Sequence, residues 1–272
     1  MRFARIAVFI CLVFAAISRL SAQVPQLSPP LPINSPVRDP QAVAAVQGAI
    51  SALGGGTLIG QQQSWAVEGT FTGGAGGPTQ TGTFTWEAAG SEYRFAGSNS
   101  TGKSLFVTGH GKPSQINAGK TQALPQHMAR AMFVPALVGP VLLQELQNQS
   151  YSIRYGGTDT IGNESVVMVM TAAETTYPDN VVTPQTWYFD ASTGLPVRVD
   201  FRSPAPKYAP AYVTESFDYS DFRAVGGAIF PFQVSLSISG SGEVLQTFSV
   251  NSISVNASVA SSDFDAPAGG AL

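Results

Sequence analysis

Charged residues are scarce in this chain. They make up 11% of its 272 residues, against about 25% in an average soluble domain. Lys and Arg total 14 and Asp and Glu total 17, so the chain lacks the basic surface that a nucleic acid would need. Hydrophobic residues make up a normal 44%, so the low charge does not indicate a disordered chain. We therefore expect a folded protein that does not bind nucleic acid.

Cysteine and histidine are also nearly missing. Cys11 is the only cysteine, and it lies in an apolar N-terminal run, so the rest of the chain holds no disulfide or thiolate. The two histidines, His110 and His127, have no second His or Cys at ligand spacing, which argues against a zinc or iron centre. No GxSxG or HExxH motif occurs. We therefore predict a non-enzymatic protein without a metal or a cofactor.

The N-terminus is typical of a secretory signal peptide, which we assign to residues 1–22. Arg2 and Arg5 precede the apolar run 6–17, and small residues follow at Ser21-Ala22. The alternative, a membrane anchor, would need about 20 apolar residues. We therefore predict a bacterial protein exported to the periplasm or secreted.

Proline then defines the domain organisation. Residues 23–39 are proline-rich and favour an extended polyproline conformation, so we predict a spacer. The segment 40–267 alternates between helical and strand patterns and is long enough for one domain. Residues 268–272 end the chain as a short tail.

The domain opens with a helical signal. Asp39 is a good N-cap, Pro40 is tolerated at the first helical position, and apolar residues then recur at helical spacing up to Leu53. Three glycines, 54–56, end the helix. Farther along, an apolar segment interrupted by proline predicts two helical pieces over about 122–133 and 135–148.

Most of the remaining sequence has the period of two that is typical of strands. Phe230 to Ile238 gives the clearest alternation of apolar and polar residues. The strands are short, apolar on one side and joined by hairpin-length turns, as in an antiparallel sheet. The pattern predicts an α+β fold that is mainly β.

One phosphate-loop match has a simpler interpretation. The segment 97–104 fits GxxxxGK[ST], but that motif needs a helix after the loop to bind phosphate. Here a β-prone segment follows, with two glycines and Pro113 soon after it. We interpret the match as a chance feature of a Gly/Ser/Thr-rich hairpin.

Aromatic and methionine residues leave two interpretations open. Trp65, Trp86 and Trp187 could form a platform for sugars, but alternating strands favour core positions for them. The apolar stretch around Met128 and Met132 could form an adaptable ligand-binding wall, or it could simply cover the sheet.

Several weak signatures occur in a familiar order. A GTFTWEAAGSEYRFAG hairpin precedes the helical segment, and Asp190-x-x-Thr193-Gly194-Leu-Pro196 follows it, with Phe264-x-x-Pro267 near the end. In this succession the segment 40–267 resembles the LolA-like periplasmic lipoprotein carriers, whose relatives include sensor and lipid-binding members. The resemblance implies a single strongly curved antiparallel sheet, a half-open barrel, with helices over its concave face.

The resemblance also implies a function. Lipids or lipoprotein acyl chains would lie in an apolar slot between the sheet and a helical lid. The partner would be a lipid or a lipidated protein, the protein would contact membranes transiently, and we expect a monomer. Carriers of this family hold the lid with an arginine, and Arg94 is the nearest residue by position. The residues that we expect to line the slot are Trp65, Trp86, Met128, Met132, Phe133, Leu137 and Leu142.

Two alternatives remain open at this point. The first is an envelope protein-interaction or sensory module of the same fold without transport activity. The second is a secreted hydrolase, for which paired carboxylates such as Asp218 and Asp221 would supply acid/base chemistry. Spacing alone does not show whether two carboxylates face one cleft.

Overall fold

The domain is built on one antiparallel sheet. The computed structural model describes residues 36–73, 79–117, 119–124, 137–173, 184–204 and 212–267. In these ranges thirteen strands pair in a single sheet. The two strands at its edges do not pair with each other, so the sheet is open. The predicted fold class, mainly β with a single open antiparallel sheet, is confirmed.

The strands are β1 (Ser64–Gly73), β2 (Gln80–Ala89), β3 (Glu92–Asn99), β4 (Gly102–Val107), β5 (Ser114–Asn117), β6 (Lys120–Ala123), β7 (Tyr151–Ile161), β8 (Glu164–Ala173), β9 (Gln185–Asp190), β10 (Pro196–Pro204), β11 (Tyr212–Val225), β12 (Ala228–Ile238) and β13 (Val244–Val255). In the sheet the strands pair in the order β6-β5-β4-β3-β2-β1-β13-β12-β11-β10-β9-β8-β7, so β6 and β7 are its edges. The described helices are α1 (Pro40–Ala52), α2 (Gly56–Gly60) and α3 (Val138–Gln147). Short 3₁₀ turns occur at Gly109–Gly111 and Ser261–Phe264.

Helix α1 begins and ends on strands of the sheet. Its N-cap Asp39 accepts a hydrogen bond from the N–H of Gln41 at 2.8 Å, as predicted. The N–H of Asp39 itself donates to the carbonyl of Ile153 on β7 at 2.9 Å. At the other end, the carbonyl of Leu53 accepts from the N–H of Ile229 on β12 at 2.9 Å. The helix therefore bridges strands that are five positions apart in the sheet, and we call the face that it covers the inner face.

A glycine permits the close approach at the end of α1. Gly54 has φ +114°, and a Cβ at this position would lie 2.9 Å from the Cα of Ala228. A side chain would therefore clash with the backbone of β12, and the positive φ favours glycine as well. The predicted stop at glycines 54–56 is confirmed by the end of the helix at Ala52.

The last residues before α1 also belong to the folded domain. The carbonyl of Val37 accepts from the N–H of Ile153, and Arg38 forms a parallel bridge with the same residue. The Arg38 guanidinium donates to the carbonyl of Asn148 at 3.2 Å and to that of Tyr151 at 3.3 Å. The cation satisfies the carbonyl of Asn148, the C-cap residue of α3, and that of Tyr151 at the start of β7.

The inner face carries two apolar clusters, one in each half of the sheet. The helix-covered cluster joins α1 and α3 to strands β7–β13, and its largest members include Val46, Leu53, Leu142, Ile153 and Trp187. The aromatic cluster lies on β1–β4 with the start of β12 and the second half of β13. Its aromatic members are Trp65, Phe71, Phe84, Trp86, Tyr93, Phe95, Phe106, Phe230 and Phe232.

Two local predictions have clear outcomes. The first predicted helical piece, 122–133, is wrong at its start, because Lys120–Ala123 forms strand β6. Gly119 with φ +75° turns the chain back so that this segment pairs with β5. Residues 125–136 lie outside the described residues. The second piece, predicted over 135–148, is α3.

The phosphate-loop match is a hairpin, as predicted. Asn99 and Gly102 face each other across the turn between β3 and β4. The Asn99 Oδ1 accepts from the N–H groups of Thr101 and Gly102, which closes the turn locally. The expected signal peptide, most of the spacer and the tail lie outside the described residues.

Candidate functional site

Three of the predicted slot residues lie together. Trp65 and Trp86 are each 5% exposed and Leu137 is 1% exposed, and all three belong to the aromatic cluster. Leu142 is fully buried too, but in the helix-covered cluster. The other three predicted residues, Met128, Met132 and Phe133, lie outside the described residues. The prediction that these seven residues form one slot therefore stays a prediction.

The aromatic cluster forms a continuous wall across neighbouring strands. Phe84 stacks on Phe95 with ring centroids 5.8 Å apart, and Trp86 meets Phe95 edge-on at 6.0 Å. One strand farther, Tyr93 stacks on Phe106 at 5.4 Å. Burial raises the pKa of Tyr93 well above its usual value, so this phenol stays neutral. The wall is apolar and carries no charge among these residues.

The described parts of the helical layer reach the aromatic cluster at a few points. Leu58 of α2 and Leu124 pack against its edge, and Leu137 at the start of α3 is one of its members. Helices α1 and α3 instead contact β7 in the other half of the sheet. Among the described residues, α1 and α3 therefore lie over the strands of the helix-covered cluster, and the aromatic cluster contacts the helical layer at Leu58 and Leu137.

A cavity opens beside this margin. Its volume is about 430 Å³, within the range of small-molecule sites, and it lies between α2, α3 and the start of β1. Its lining residues include Trp65 of the aromatic cluster and Pro140 and Leu143 of α3. Gln62 is also in its wall, where its Oε1 accepts the indole N–H of Trp65 at 3.2 Å. The cavity therefore connects α3 to a predicted slot residue.

The indole of Trp86 has no such partner. Within the described chain, its Nε1 is buried without a hydrogen-bond acceptor. An unsatisfied buried N–H destabilises the folded state by about 1–3 kcal/mol. The aromatic wall therefore contains one donor that a ligand oxygen would satisfy.

Sequence reasoning missed a group of polar residues on the same face. Ser104, Gln115 and Asn117 each bury a side-chain atom that lacks a hydrogen-bond partner in the described ranges. The available signal was parity, since Ser104 is two residues before the inward-facing Phe106. The unbroken run Leu105-Phe106-Val107 obscured that parity.

Arg94 does not face the helices. It alternates with the buried Tyr93 and Phe95 and so lies on the outer face of β3, where its Nη1 is 3.1 Å from the Glu87 Oε2. Arg94, the nearest candidate by position for the lid-holding arginine, is therefore on the wrong face of the sheet for that role. The parity of the strand decides which way this side chain points, and position in the hairpin could not.

The outer face carries a cavity of its own. About 820 Å³ in volume, it lies between the outer faces of β1–β4 and the C-terminal residues 262–267. Arg94, Lys103 and Asp265 contribute charged groups to its walls. It lies on the opposite side of the sheet from the predicted slot.

The paired carboxylates are held by arginines. Asp218 Oδ1 lies 2.6 Å from the Nε of Arg198, and Asp221 Oδ2 lies 2.6 Å from an Nη of Arg223. The hydrogen bond from Arg223 lowers the pKa of Asp221. Two separately paired carboxylates do not form an acid/base pair, so they give the hydrolase alternative no support.

Tyr188, which lies opposite Arg198 in the register of β9 and β10, is also unsuited to proton transfer. Tyr188 donates its hydroxyl hydrogen to Asp200 Oδ2 at 3.1 Å. Burial, with a further contribution from the Asp200 charge, raises the pKa of Tyr188 to about 12. The phenol therefore stays protonated at neutral pH.

Of the two histidines, His110 lies within the described ranges. His110 is exposed and lies 3.5 Å from Glu92 and 3.7 Å from Asp265. In the described ranges, no group of three or more His, Cys, Asp or Glu side chains is arranged to hold a metal. None of the described helices has the length and apolar character needed to span a bilayer.

Comparison with known proteins gives matches among solved structures only. No protein-family model matches the chain, and no curated protein matches it. A DUF1329 family protein from Desulfovibrio piger is similar with a TM-score of 0.49 and 12% identity, over 82% of this chain and 96% of the other. A putative outer membrane lipoprotein-sorting protein domain from Vibrio parahaemolyticus has a TM-score of 0.48 and 10% identity, over 83% and 96%.

A LolA superfamily protein from Nitrosomonas europaea is similar at a TM-score of 0.48 and 11% identity, over 82% of this chain and 97% of the other.

Proposed function

We propose that this protein is an exported, non-enzymatic binder or carrier of lipid or lipoprotein acyl chains, which it holds on the inner face of its sheet. The main support is the aromatic cluster, which continues into a cavity of about 430 Å³ at Trp65. An acyl chain gains roughly 0.8 kcal/mol for each CH₂ group moved from water into such surroundings. The acyl chain would enter beside α3 and lie against the aromatic wall.

The physical chemistry of the site favours binding over catalysis. The aromatic wall offers rings and one unpaired indole N–H, whereas the carboxylates Asp218 and Asp221 are each held by an arginine. A hydrocarbon needs only an apolar surface that is protected from water. The predicted secretory signal would place the protein in the envelope, where lipids and lipoproteins are available.

The direct test is to look for lipid that stays bound to the purified protein. Native mass spectrometry of the purified protein should detect bound acyl lipid, and a fluorescent fatty-acid analogue should bind with saturable affinity. Absence of both signals in a folded sample would overturn the proposal.

A matched pair of α3 variants locates the site. Leu143 and Leu146 are both half-buried and both pack against the helix-covered cluster, but only Leu143 lines the cavity. Leu143→Gln should weaken binding of the fluorescent analogue about tenfold, because it removes roughly 1–2 kcal/mol of apolar contact. Leu146→Gln should change affinity less than twofold. Equal loss of affinity in both variants would argue against entry beside α3.

The outer cavity supports a second candidate function. Its volume of about 820 Å³ and its charged walls favour a polar partner such as a protein segment, in line with the interaction-module alternative. Lys103 makes no ion pair within the described residues and is exposed in this wall. A pull-down of an envelope protein that Lys103→Glu abolishes, while acyl binding persists, would establish this second function.

A further inference from the structure

Three polar atoms that are buried without a partner lie together at the far end of the aromatic cluster. They are the Ser104 Oγ, the Gln115 Nε2 and the Asn117 Oδ1. Ser104 is 5% exposed and Gln115 is 4% exposed. Buried polar groups are nearly always hydrogen-bonded, so three adjacent exceptions call for a partner from outside this part of the chain.

Strand register places the three side chains on one face. Ser104 of β4 lies directly opposite Asn117 of β5, and Phe106 lies opposite Gln115. Residues two apart on a strand share a face, and directly opposite residues have Cβ atoms about 4.5–5.5 Å apart. Phe106 is fully buried in the aromatic cluster. The polar patch formed by Ser104, Gln115 and Asn117 is therefore continuous with the aromatic wall.

The chemistry of the patch is neutral and mixed. The Gln115 nitrogen donates, the Asn117 oxygen accepts, and the Ser104 hydroxyl can do either. A buried anion would need a nearby cation to offset its desolvation. The lysine opposite Asn117 in the register, Lys120, is exposed on the edge strand β6. The patch thus suits hydroxyl and ester oxygens better than a carboxylate or a phosphate.

We propose that this patch binds the neutral polar end of an amphiphile, as in a monoglyceride or diglyceride, while the acyl chain lies along the aromatic cluster. This inference rests on the proposed function and specifies the class of ligand. Hydroxyl groups of the ligand donate to Asn117 Oδ1, and ligand oxygens accept from Gln115 Nε2. The Ser104 hydroxyl, opposite Asn117, completes the network.

Competition experiments test the ligand class. Monooleoylglycerol, methyl oleate and oleic acid carry the same acyl chain and differ only at the polar end. Each would displace a fluorescent fatty-acid analogue from the full chain below its own aggregation concentration. We expect monooleoylglycerol to compete about tenfold better than methyl oleate and better than oleic acid, because each hydrogen bond to a buried neutral group contributes a few-fold in affinity.

Variants separate this role from a purely structural one. Ser104→Ala and Gln115→Leu should each reduce the preference for monooleoylglycerol several-fold and weaken methyl oleate binding less, because methyl oleate has ester oxygens but no hydroxyl groups. Both changes remove an unsatisfied buried group, so the melting temperature of the ligand-free variants should stay equal or rise. Loss of affinity without loss of stability is the signature of a ligand contact.

The other half of the sheet offers a control. Thr171 Oγ1 and Gln185 Oε1 are also buried without partners in the described chain, and the two residues face each other across β8 and β9. Thr171→Val removes the same kind of group away from the patch, so it should leave the preference intact. The inference fails if wild-type protein binds all three lipids equally or prefers oleic acid. It also fails if Ser104→Ala destabilises the ligand-free protein but leaves the preference for monooleoylglycerol intact. That result is expected if a buried water, and not a ligand, satisfies the Ser104 hydroxyl. If no acyl compound binds wild-type protein, the proposed function fails first.

Discussion

Single carboxylates in this protein organise turns as well as ion pairs. Asp190 ends β9, and its Oδ1 accepts from the N–H groups of Ser192 and Thr193 at 3.1 and 2.6 Å. The hydroxyl groups of the same two residues donate to it at 2.6 and 2.8 Å. These hydrogen bonds, first those from the side chains, lower the pKa of Asp190 to about 2. The turn is therefore strongest when this carboxylate is ionised.

A pH dependence follows from that shift. The pKa of Asp190 is lowered from 3.8 to about 2 in the folded state, so its stabilising contribution is present above pH 4 and is lost as the pH falls toward 2. Asp190→Asn should flatten the decline in melting temperature over this range and lower stability slightly at pH 7. Melting curves between pH 2 and 7 measure both effects. An unchanged acid slope in the variant would show that other carboxylates account for the decline.

At the scale of elements, α1 shows how local signals and distant contacts combine. Asp39 caps its N-terminus through the hydrogen bond to Gln41, and this signal is legible in the sequence. The contacts at both ends of the helix, with Ile153 on β7 and Ile229 on β12, are not. They depend on strands more than one hundred residues away along the chain.

The cap can be tested by itself. Asp39→Ala should lower the free energy of unfolding by about 1 kcal/mol, because it leaves the N–H of Gln41 without its acceptor. Asp39→Ser supplies another capping oxygen and should retain most of the stability. Urea denaturation of the two variants measures the difference, and equal losses would show that the side-chain cap contributes little.

The strand at Lys120–Ala123 illustrates the opposite case. A helical pattern was predicted over 122–133, but residues 120–123 pair with β5. The apolar spacing that suggested a helix begins with Leu124 and Met128, beyond the strand. A four-residue edge strand of polar residues has little periodicity to recognise, so pairing with β5 decides its structure.

At the scale of the whole molecule, the C-terminal segment closes onto the outer face. The turn Ser261–Phe264 contacts β3 and the turn at Gly109–Gly111. A Cβ on Gly109 would clash with the backbone of Phe264, and Phe264 is 1% exposed. The same segment forms a wall of the outer cavity. Burial of Phe264 therefore anchors both the C-terminal turn and that wall.

That anchor gives a prediction about overall stability. Phe264→Ala should lower the free energy of unfolding by about 3–5 kcal/mol, as expected for a fully buried phenylalanine. Phe264→Leu keeps most of the apolar volume and should lose much less. Guanidinium denaturation compares the two variants. A small loss in Phe264→Ala would mean that the C-terminal turn docks weakly and that β3 and β4 are stable without it.

The local features of this protein can be predicted from the order of its amino acids: the cap and the glycine stop of α1, the strand alternation and the hairpin at 97–104. These features depend on residues that are only a few positions apart, so hydrophobic periodicity and turn-forming residues reveal them directly. The tertiary structure alone decided that Arg94 faces outward, that Leu142 belongs to a different cluster from Trp65, and that Ser104 and Asn117 meet. Such relations depend on how each strand registers with its neighbour, and a shift of one residue would reverse every side chain on that strand.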